Sequence, residues 1–276
     1  MFTRKNILNK VWNNIDFTEI DVEELRQEIQ QNIVYISCNN KLFLSPLKNN
    51  VNNIVLNIGS GYCFWSREFL KEKENDIILI VNLDIKEYYK NNEYLMIFKH
   101  KNLKTNNINF KDNTVDYVYQ RDMLSVYNML EWENIIKDIH RVLKKDSYFE
   151  LVEYDITIKH NKIFNTIFSD IFFNYLKEIF KTNGYVYDID IICNKTKTLF
   201  SETKNLKIRL PLYYENKYKG MCSNNYILGL YHFKEQINNI LKSKFNINFD
   251  KGIKELEKEW DQNESYMGLN IIYCKK

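Results

Sequence analysis

The sequence predicts a doubly wound α/β fold, an open and mostly parallel sheet with helices on both faces. Three observations carry that expectation. Ile54–Ile58 (IVLNI) is a short, bounded, β-branched run of the kind that forms a buried strand. It breaks into Gly59-Ser60-Gly61-Tyr62, and a segment with helical spacing, Trp65–Lys73, follows. A second apolar run, Ile77–Leu83, then ends at Asp84. Strand, glycine turn, helix, strand and terminal acid in that order make a nucleotide-handling half of such a fold.

The chemistry of the turn narrows the ligand. Glycine lets the backbone approach a ligand closely, and a helix N-terminus offers unpaired N–H donors. An acid at the end of the next strand can accept both hydroxyls of a ribose. A dinucleotide fingerprint needs a third glycine three residues after Gly61, and that place holds Phe64. NAD and FAD are therefore disfavoured, and a nucleotide-dependent oxidoreductase with them.

The remaining elements follow in order. Residues 20–31 have helical spacing with acids early, and Gln31–Leu44 is read as a second helix ahead of Pro46. Strands are expected at 54–58, 77–83, 94–99, 115–120, 148–154, 185–192 and 265–274. Helices are expected at 64–73, 131–144, 160–182, 224–243 and 250–262, with Gly184 capping the third of these. Alternation through residue 155 implies parallel strands with right-handed crossovers. Residues 196–262 do not alternate and are dense in aromatics: Phe200, Tyr213, Tyr214, Tyr218, Tyr226, Tyr231 and Phe233. Core packing is the ordinary explanation of such a stripe.

Bulk properties exclude several classes. A chain of 276 residues suffices for one large α/β domain. A net charge of +3, without a long basic run, is too small to argue for a nucleic-acid footprint. The five cysteines (38, 63, 193, 222 and 274) are odd in number and scattered. They read as reduced thiols of an intracellular protein, cytoplasmic or nuclear, rather than a disulfide frame or zinc site. The four histidines are equally dispersed, so no metal site is expected, and no apolar run is long enough to span a membrane. Residues 1–15 lack acids and carry Arg4, Lys5 and Lys10, a faint presequence signal too poor in arginine to alter that reading.

The middle of the chain brings a family into view. Asn109–Arg121 (NFKDNTVDYVYQR) resembles the "PFpDnsFDyVhqR" approach to the fourth strand of class I S-adenosylmethionine-dependent methyltransferases. Glu131-Trp-Glu, then Ile139–Lys144 (IHRVLK) and Ser147–Asp155 (SYFELVEYD), are similar to that family's "eW…EI.RVLKPGGyiElvE". The GxG-only turn is similar to its motif I. Trp65 after the turn and the Gln120-Arg121 pair look like the fungal group that includes the velvet-associated methyltransferases. The likeness covers roughly 32–276, with its specific motifs within about 54–155.

That resemblance implies a Rossmann-like, seven-stranded sheet and S-adenosyl-L-methionine as cofactor. It divides the chain into an N-terminal helical segment (1–48), a cofactor-binding core (49–195), a helical lid (196–262) and a last strand (263–276). Asp84 would hold the ribose, with Ile85 beside it, and Asn102 and Leu103 would meet the adenine. Gly59, Ser60, Gly61 and Trp65 belong to the cofactor turn. Asn57 stands where the family has an acid for the ammonium of the methionine moiety, and Gln120 lies toward the same end. Arg121 would reach the acceptor or the cofactor carboxylate, while Glu153 and Asp155 are the candidate general bases.

Three departures matter. The neutral Asn57 forgoes a charge-assisted bond, worth on the order of 1–2 kcal/mol. Cys63 replaces a third small residue, and cysteine lacks glycine's freedom to take a positive φ. Lys145-Asp146-Ser147 replaces a Pro-Gly-Gly turn, which bears on turn geometry alone. The leading expectation is a methyltransferase acting on a small molecule or a protein. Its competitor is a pseudo-methyltransferase kept as a regulatory or scaffolding subunit beside a protein partner.

Overall fold

A computed structural model describes residues 19–47, 53–73, 78–86, 95–213 and 217–276. The N-terminal basic stretch lies outside those residues, as does Tyr214. Helix α1 (Glu19–Ser37) is one continuous helix where two were expected, ending ahead of Asn39 and Asn40 at φ 55° and 58°. Asparagine is among the few side chains that enter the left-handed region readily, which makes this pair an effective stop.

The α/β alternation then runs β1 (Asn53–Ile58), α2 (Phe64–Glu72), β2 (Ile78–Asp84), β3 (Met96–His100), β4 (Val115–Arg121), α3 (Met129–Val142) and β5 (Leu143–Tyr154). The start of α3 is fixed by a capping box, in which Asn128 and Glu131 each bond the other's backbone N–H. β5 begins five residues before its expected start, because Leu143 already pairs with Val115 before the register shifts. Asp146, at φ 63°, takes a left-handed conformation within the strand, in the irregular stretch where the register shifts.

The second half of the chain departs further from expectation. The two-residue β6 (Lys159–His160) precedes α4 (Ile167–Thr182), so the helix expected from residue 160 starts later. Residues 185–192, expected as a strand, instead lead into helix α5 (Ile189–Leu199). The Asp188 side chain caps that helix, and Ile189, Ile192, Cys193 and Thr196 bury one face at helical spacing. The strand is β7 (Glu202–Pro211), whose alternating charged residues hid it. A single helix expected at 224–243 is α6 (Lys217–Leu230) and α7 (Lys234–Phe245), joined by a 3-10 turn; α8 (Phe249–Asn263) and β8 (Ser265–Lys275) follow.

The chain forms two compact units. One holds residues 38–155, 179–208 and 269–276. Its sheet runs β3-β2-β1-β4-β5-β8, parallel through β5 and antiparallel at β8, with β7 also paired to β8. Counting β6, the sheet has eight strands rather than seven. One face of the central strands carries Asn57, Tyr117 and Tyr119, packed with Trp65 and Phe69 of α2. On the other, Leu56, Ile58 and Val118 meet Trp132, Ile135, Ile136 and Ile139 of α3 in a fully enclosed core. Each such side chain contributes about 1.5–3 kcal/mol on burial.

The other unit comprises α1, residues 156–178 and residues 209–268. Rings of the aromatic stripe pack here, partly buried: Tyr226 on Trp260, Tyr231 on Phe249, and Phe233 on Tyr175. Tyr218 instead bonds the Ser37 hydroxyl at 2.6 Å. Glu259 accepts from the Phe168 and Ser169 N–H groups and so holds the first turn of α4.

Candidate functional site

The tips of β1 and β2 meet at the glycine turn. Gly59 and Gly61 both have positive φ, at 66° and 50°, and Gly59 N–H bonds the Leu83 carbonyl at 2.8 Å. Asp84 closes the join: its Oδ2 accepts from Gly61 N–H at 2.8 Å and its Oδ1 from Lys86 N–H at 3.0 Å. The acid that ends β2 is thereby set against the turn that ends β1. Cys63 corrects an expectation, since it takes a left-handed φ of 59° as the residue before α2. A non-glycine residue pays about 1–2 kcal/mol there. Its thiol is fully buried, so it packs and is not offered to a reagent.

Asn57 does not open toward the turn's outer side. Its Nδ2 donates to Ser66 Oγ at 2.8 Å and to Asn82 Oδ1 at 3.2 Å, and Ser66 Oγ donates to the same Oδ1 at 2.6 Å. This buried triangle ties β1, β2 and α2 together beneath the turn.

Trp65, expected in the cofactor turn, is a core residue. It is 2% exposed, its indole N–H donates to the Leu42 carbonyl, and its ring stacks on Tyr119 with centroids 4.0 Å apart. The helix that starts at Phe64 turns Trp65 onto the sheet, away from the open edge. Gln120 differs from all of these. It is 0% exposed, and neither amide atom has a hydrogen-bond partner. The strand register places it beside Ile58, next to the turn. Ser60 Oγ, within the turn, is also buried without a partner. Arg121 follows, half-buried, at the end of β4.

Of the two candidate bases, Glu153 is corrected. It is fully buried, and both its oxygens are used: Oε1 accepts from Met123 N–H at 2.8 Å and Oε2 from Leu124 N–H at 3.1 Å. Burial, followed by the charge of Asp122, pushes its carboxyl well above the usual carboxylate range. It clamps the loop after β4 from beneath, with both oxygens committed to that loop. Asp155 stays half-exposed at the end of β5, where its Oδ1 accepts from Asn270 Nδ2 at 2.7 Å.

The expected adenine side is looser. Asn102 spends its side-chain oxygen on Lys104 N–H in its own turn. Leu103 packs against the core from its edge, and Ile85, 51% exposed, is an open apolar face beside Asp84. Three further residues carry the edge without having stood out in the sequence. Met123 lies over Gly59, its sulfur 2.3 Å from where a Cβ would stand, so a side chain at 59 would have to displace the flexible Met123 side chain and would also be strained by the φ of 66°. Tyr127 is buried against Trp132, and burial with the nearby charges of Asp84, Glu131 and Glu153 raises its phenol. Glu150 accepts from the Leu44 and Ser45 N–H groups and so anchors the chain entering the sheet. A loop methionine leaves no sequence motif, and the SYFELVEYD motif that holds Glu150 does not say which backbone groups that acid accepts from.

Among the described residues no group of His, Cys, Asp and Glu could hold a metal ion, and no helix is long and apolar enough to cross a membrane. All five cysteines are buried, and none is in a disulfide.

Residues 56–151 match the family model described as "Methyltransferase domain". No curated protein matches the chain in sequence. Phosphoethanolamine N-methyltransferase 2 of Haemonchus contortus, solved with phosphomonomethylethanolamine and S-adenosylhomocysteine, is similar in fold at 14% identity and a TM-score of 0.55. All of the chain is covered in that comparison, and it spans 60% of the length of that protein. The mycolic acid cyclopropane synthase CmaA1, complexed with S-adenosylhomocysteine, is similar at 14% identity and a TM-score of 0.52, with 91% of this chain and 85% of that one covered. The YcgJ protein of Bacillus subtilis aligns at 15% identity and a TM-score of 0.50, with 90% and 98% covered. The sheet order, the glycine turn beside Asp84 and the fold likeness converge: the chain has the class I methyltransferase fold, and residues 56–151 within it match a methyltransferase-domain model.

Proposed function

We propose that the protein is an S-adenosyl-L-methionine-dependent methyltransferase that binds its cofactor across the tips of β2, β1 and β4. The observation that carries this reading is the Gln120 amide, fully buried and unpartnered beside a glycine turn that is closed by Asp84. Leaving two such atoms unpaired costs roughly 1–3 kcal/mol each, which a polar ligand at the turn would recover. The residues fit the cofactor: an acid for ribose hydroxyls, an open apolar face at Ile85 for adenine, and an amide toward the methionine end. Structural relatives solved with S-adenosylmethionine or S-adenosylhomocysteine add support for that cofactor.

Bound there, the cofactor supplies an electrophilic methyl group on a sulfonium, transferred by in-line displacement. The protein's part is positioning. Asp84 exchanges a bond to its own turn for the ribose, and Gln120 fixes the opposite end. Arg121 is placed to pair with a carboxylate of the cofactor or acceptor. Where the acceptor must lose a proton, Asp155 is the carboxylate left at the end of β5 to take it. Asn57 and Trp65 support the turn from beneath. The acceptor is a small molecule or a protein. We read 1–48, 49–195, 196–262 and 263–276 as helical segment, cofactor core, acceptor-side insertion and last strand. The finer likeness to the velvet-associated group rests on Gln120-Arg121 and on Trp65, which here serves packing.

One observation favours a second reading, a regulatory or scaffolding subunit acting with a protein partner. Asn57 replaces the acid expected at the turn and spends its amide inward. Calorimetric titration with S-adenosylmethionine and S-adenosylhomocysteine decides: saturable binding supports the enzyme, and no heat at millimolar ligand gives the lead to the scaffold.

A further inference from the structure

A ligand that reaches from Asp84 on β2 to Gln120 on β4 must cross the tip of the strand between them, which is Gly59. That place is taken. Met123 folds back over Gly59 with its Sδ, Cγ and Cε all within 3.0 Å of the point where a Cβ would be. The backbone of Met123 is pinned, since Glu153 holds the N–H groups of residues 123 and 124 and the Met123 carbonyl accepts from Val126 N–H. Its side chain is unbranched and turns about three bonds, so it can leave without moving the loop. Close by lie two unpartnered polar groups of this edge, the Gln120 amide and Ser60 Oγ. A thioether offers them almost nothing, because sulfur is a weak acceptor and a methyl group donates no hydrogen bond.

We propose that Met123 is a resident plug of the methionine subsite: its thioether occupies the place of the cofactor's own sulfur, and the cofactor enters only as Met123 swings out. This rests on the cofactor reading above. The affinity for any ligand carrying the methionine moiety is then lowered by the fraction of molecules in which the plug is shut. A ligand confined to the Asp84 side does not meet it.

The test titrates wild type, Met123→Ala and Met123→Leu with S-adenosylhomocysteine and with adenosine. Met123→Ala should bind S-adenosylhomocysteine about fivefold more tightly, a plug shut in four molecules of five, with adenosine unchanged. Met123→Leu, which keeps a side chain of similar bulk but is branched and less flexible, should bind S-adenosylhomocysteine no more tightly than wild type. Wild type that binds S-adenosylhomocysteine, with Met123→Ala no tighter, overturns the plug and leaves the cofactor site standing. Failure of every protein to bind either ligand overturns both. Binding by Met123→Ala alone supports both and describes a site shut in the wild type. Should Met123→Ala not fold, methyl-labelled wild type gives the answer. The Met123 ε-methyl resonance, assigned by its loss in Met123→Leu, should shift with S-adenosylhomocysteine and stay put with adenosine; an unmoved resonance in the saturated protein overturns the proposal.

Discussion

Glu153 holds Met123 from within the sheet: a fully buried carboxyl group on β5 accepts the backbone N–H of a residue whose side chain covers the glycine turn. Glu153→Gln keeps the shape but turns one of the two acceptors into a donor facing an N–H. Unfolding in urea should show a loss of about 1–3 kcal/mol. The pH dependence should change as well. Glu153 binds its proton more tightly folded than unfolded, so its part of the stability is greatest below about 4.5 and declines as pH rises through its elevated folded value. The variant should lack that decline, and a stability difference independent of pH would refute the assignment.

Asn57 and Asn82 should behave as one unit. The carboxylate introduced by Asn57→Asp would face Asn82 Oδ1, but Asn82 can turn its amide and present Nδ2, which is buried without a partner. Asn57→Asp alone should therefore fold. Adding Asn82→Ala removes that rescue, and a double-mutant cycle should show about 1–3 kcal/mol of coupling. Additivity would mean that the triangle beneath the turn is not a network.

Asp84→Ala should leave the fold intact and abolish the thermal shift that S-adenosylhomocysteine gives the wild type. At a ligand concentration of a hundred times Kd that shift corresponds to about 2.7 kcal/mol. Losing two bonds to a charged acceptor weakens binding about a hundredfold or more. An undiminished shift would place the ribose elsewhere.

Trp65→Phe should separate packing from binding. The variant loses the indole bond to Leu42 and part of the Tyr119 stack, about 1–2 kcal/mol. Its affinity for S-adenosylhomocysteine should stay within about twofold of wild type, a shift of under about 0.5 kcal/mol. A larger loss in calorimetry would return Trp65 to the cofactor site.

The half of the chain that reads plainly in sequence is the half whose order is local. Ile54–Ile58, the turn and Ile77–Asp84 announce themselves, because a buried parallel strand must be continuously apolar and a strand-to-helix reversal needs glycine. The turn at Cys63 was legible only in part, for the fold accepts the cost of a left-handed cysteine. Asp188 turned an apparent strand into α5 through a single cap, and the true strand, β7, is written in lysine and glutamate. The site was harder. Asp84 and Gln120 stand at strand ends that the pattern fixes. Glu153 also stands there, yet its side chain is committed inward by two loop amides far away in sequence, and no local pattern encodes such a partner. Met123 has no motif at all.

Three buried glutamates share one job: Glu150 takes the amides of Leu44 and Ser45, Glu153 those of Met123 and Leu124, and Glu259 those of Phe168 and Ser169. None of those donors reaches a regular sheet ladder or an intrahelical carbonyl, so by secondary structure alone they would trade protons with solvent quickly. Tethered to carboxylates inside the protein, they can exchange only when the acid itself is uncovered. Deuterium should enter these six positions on the clock of the cores that hold them, giving slow exchange at positions that their own secondary structure does not protect.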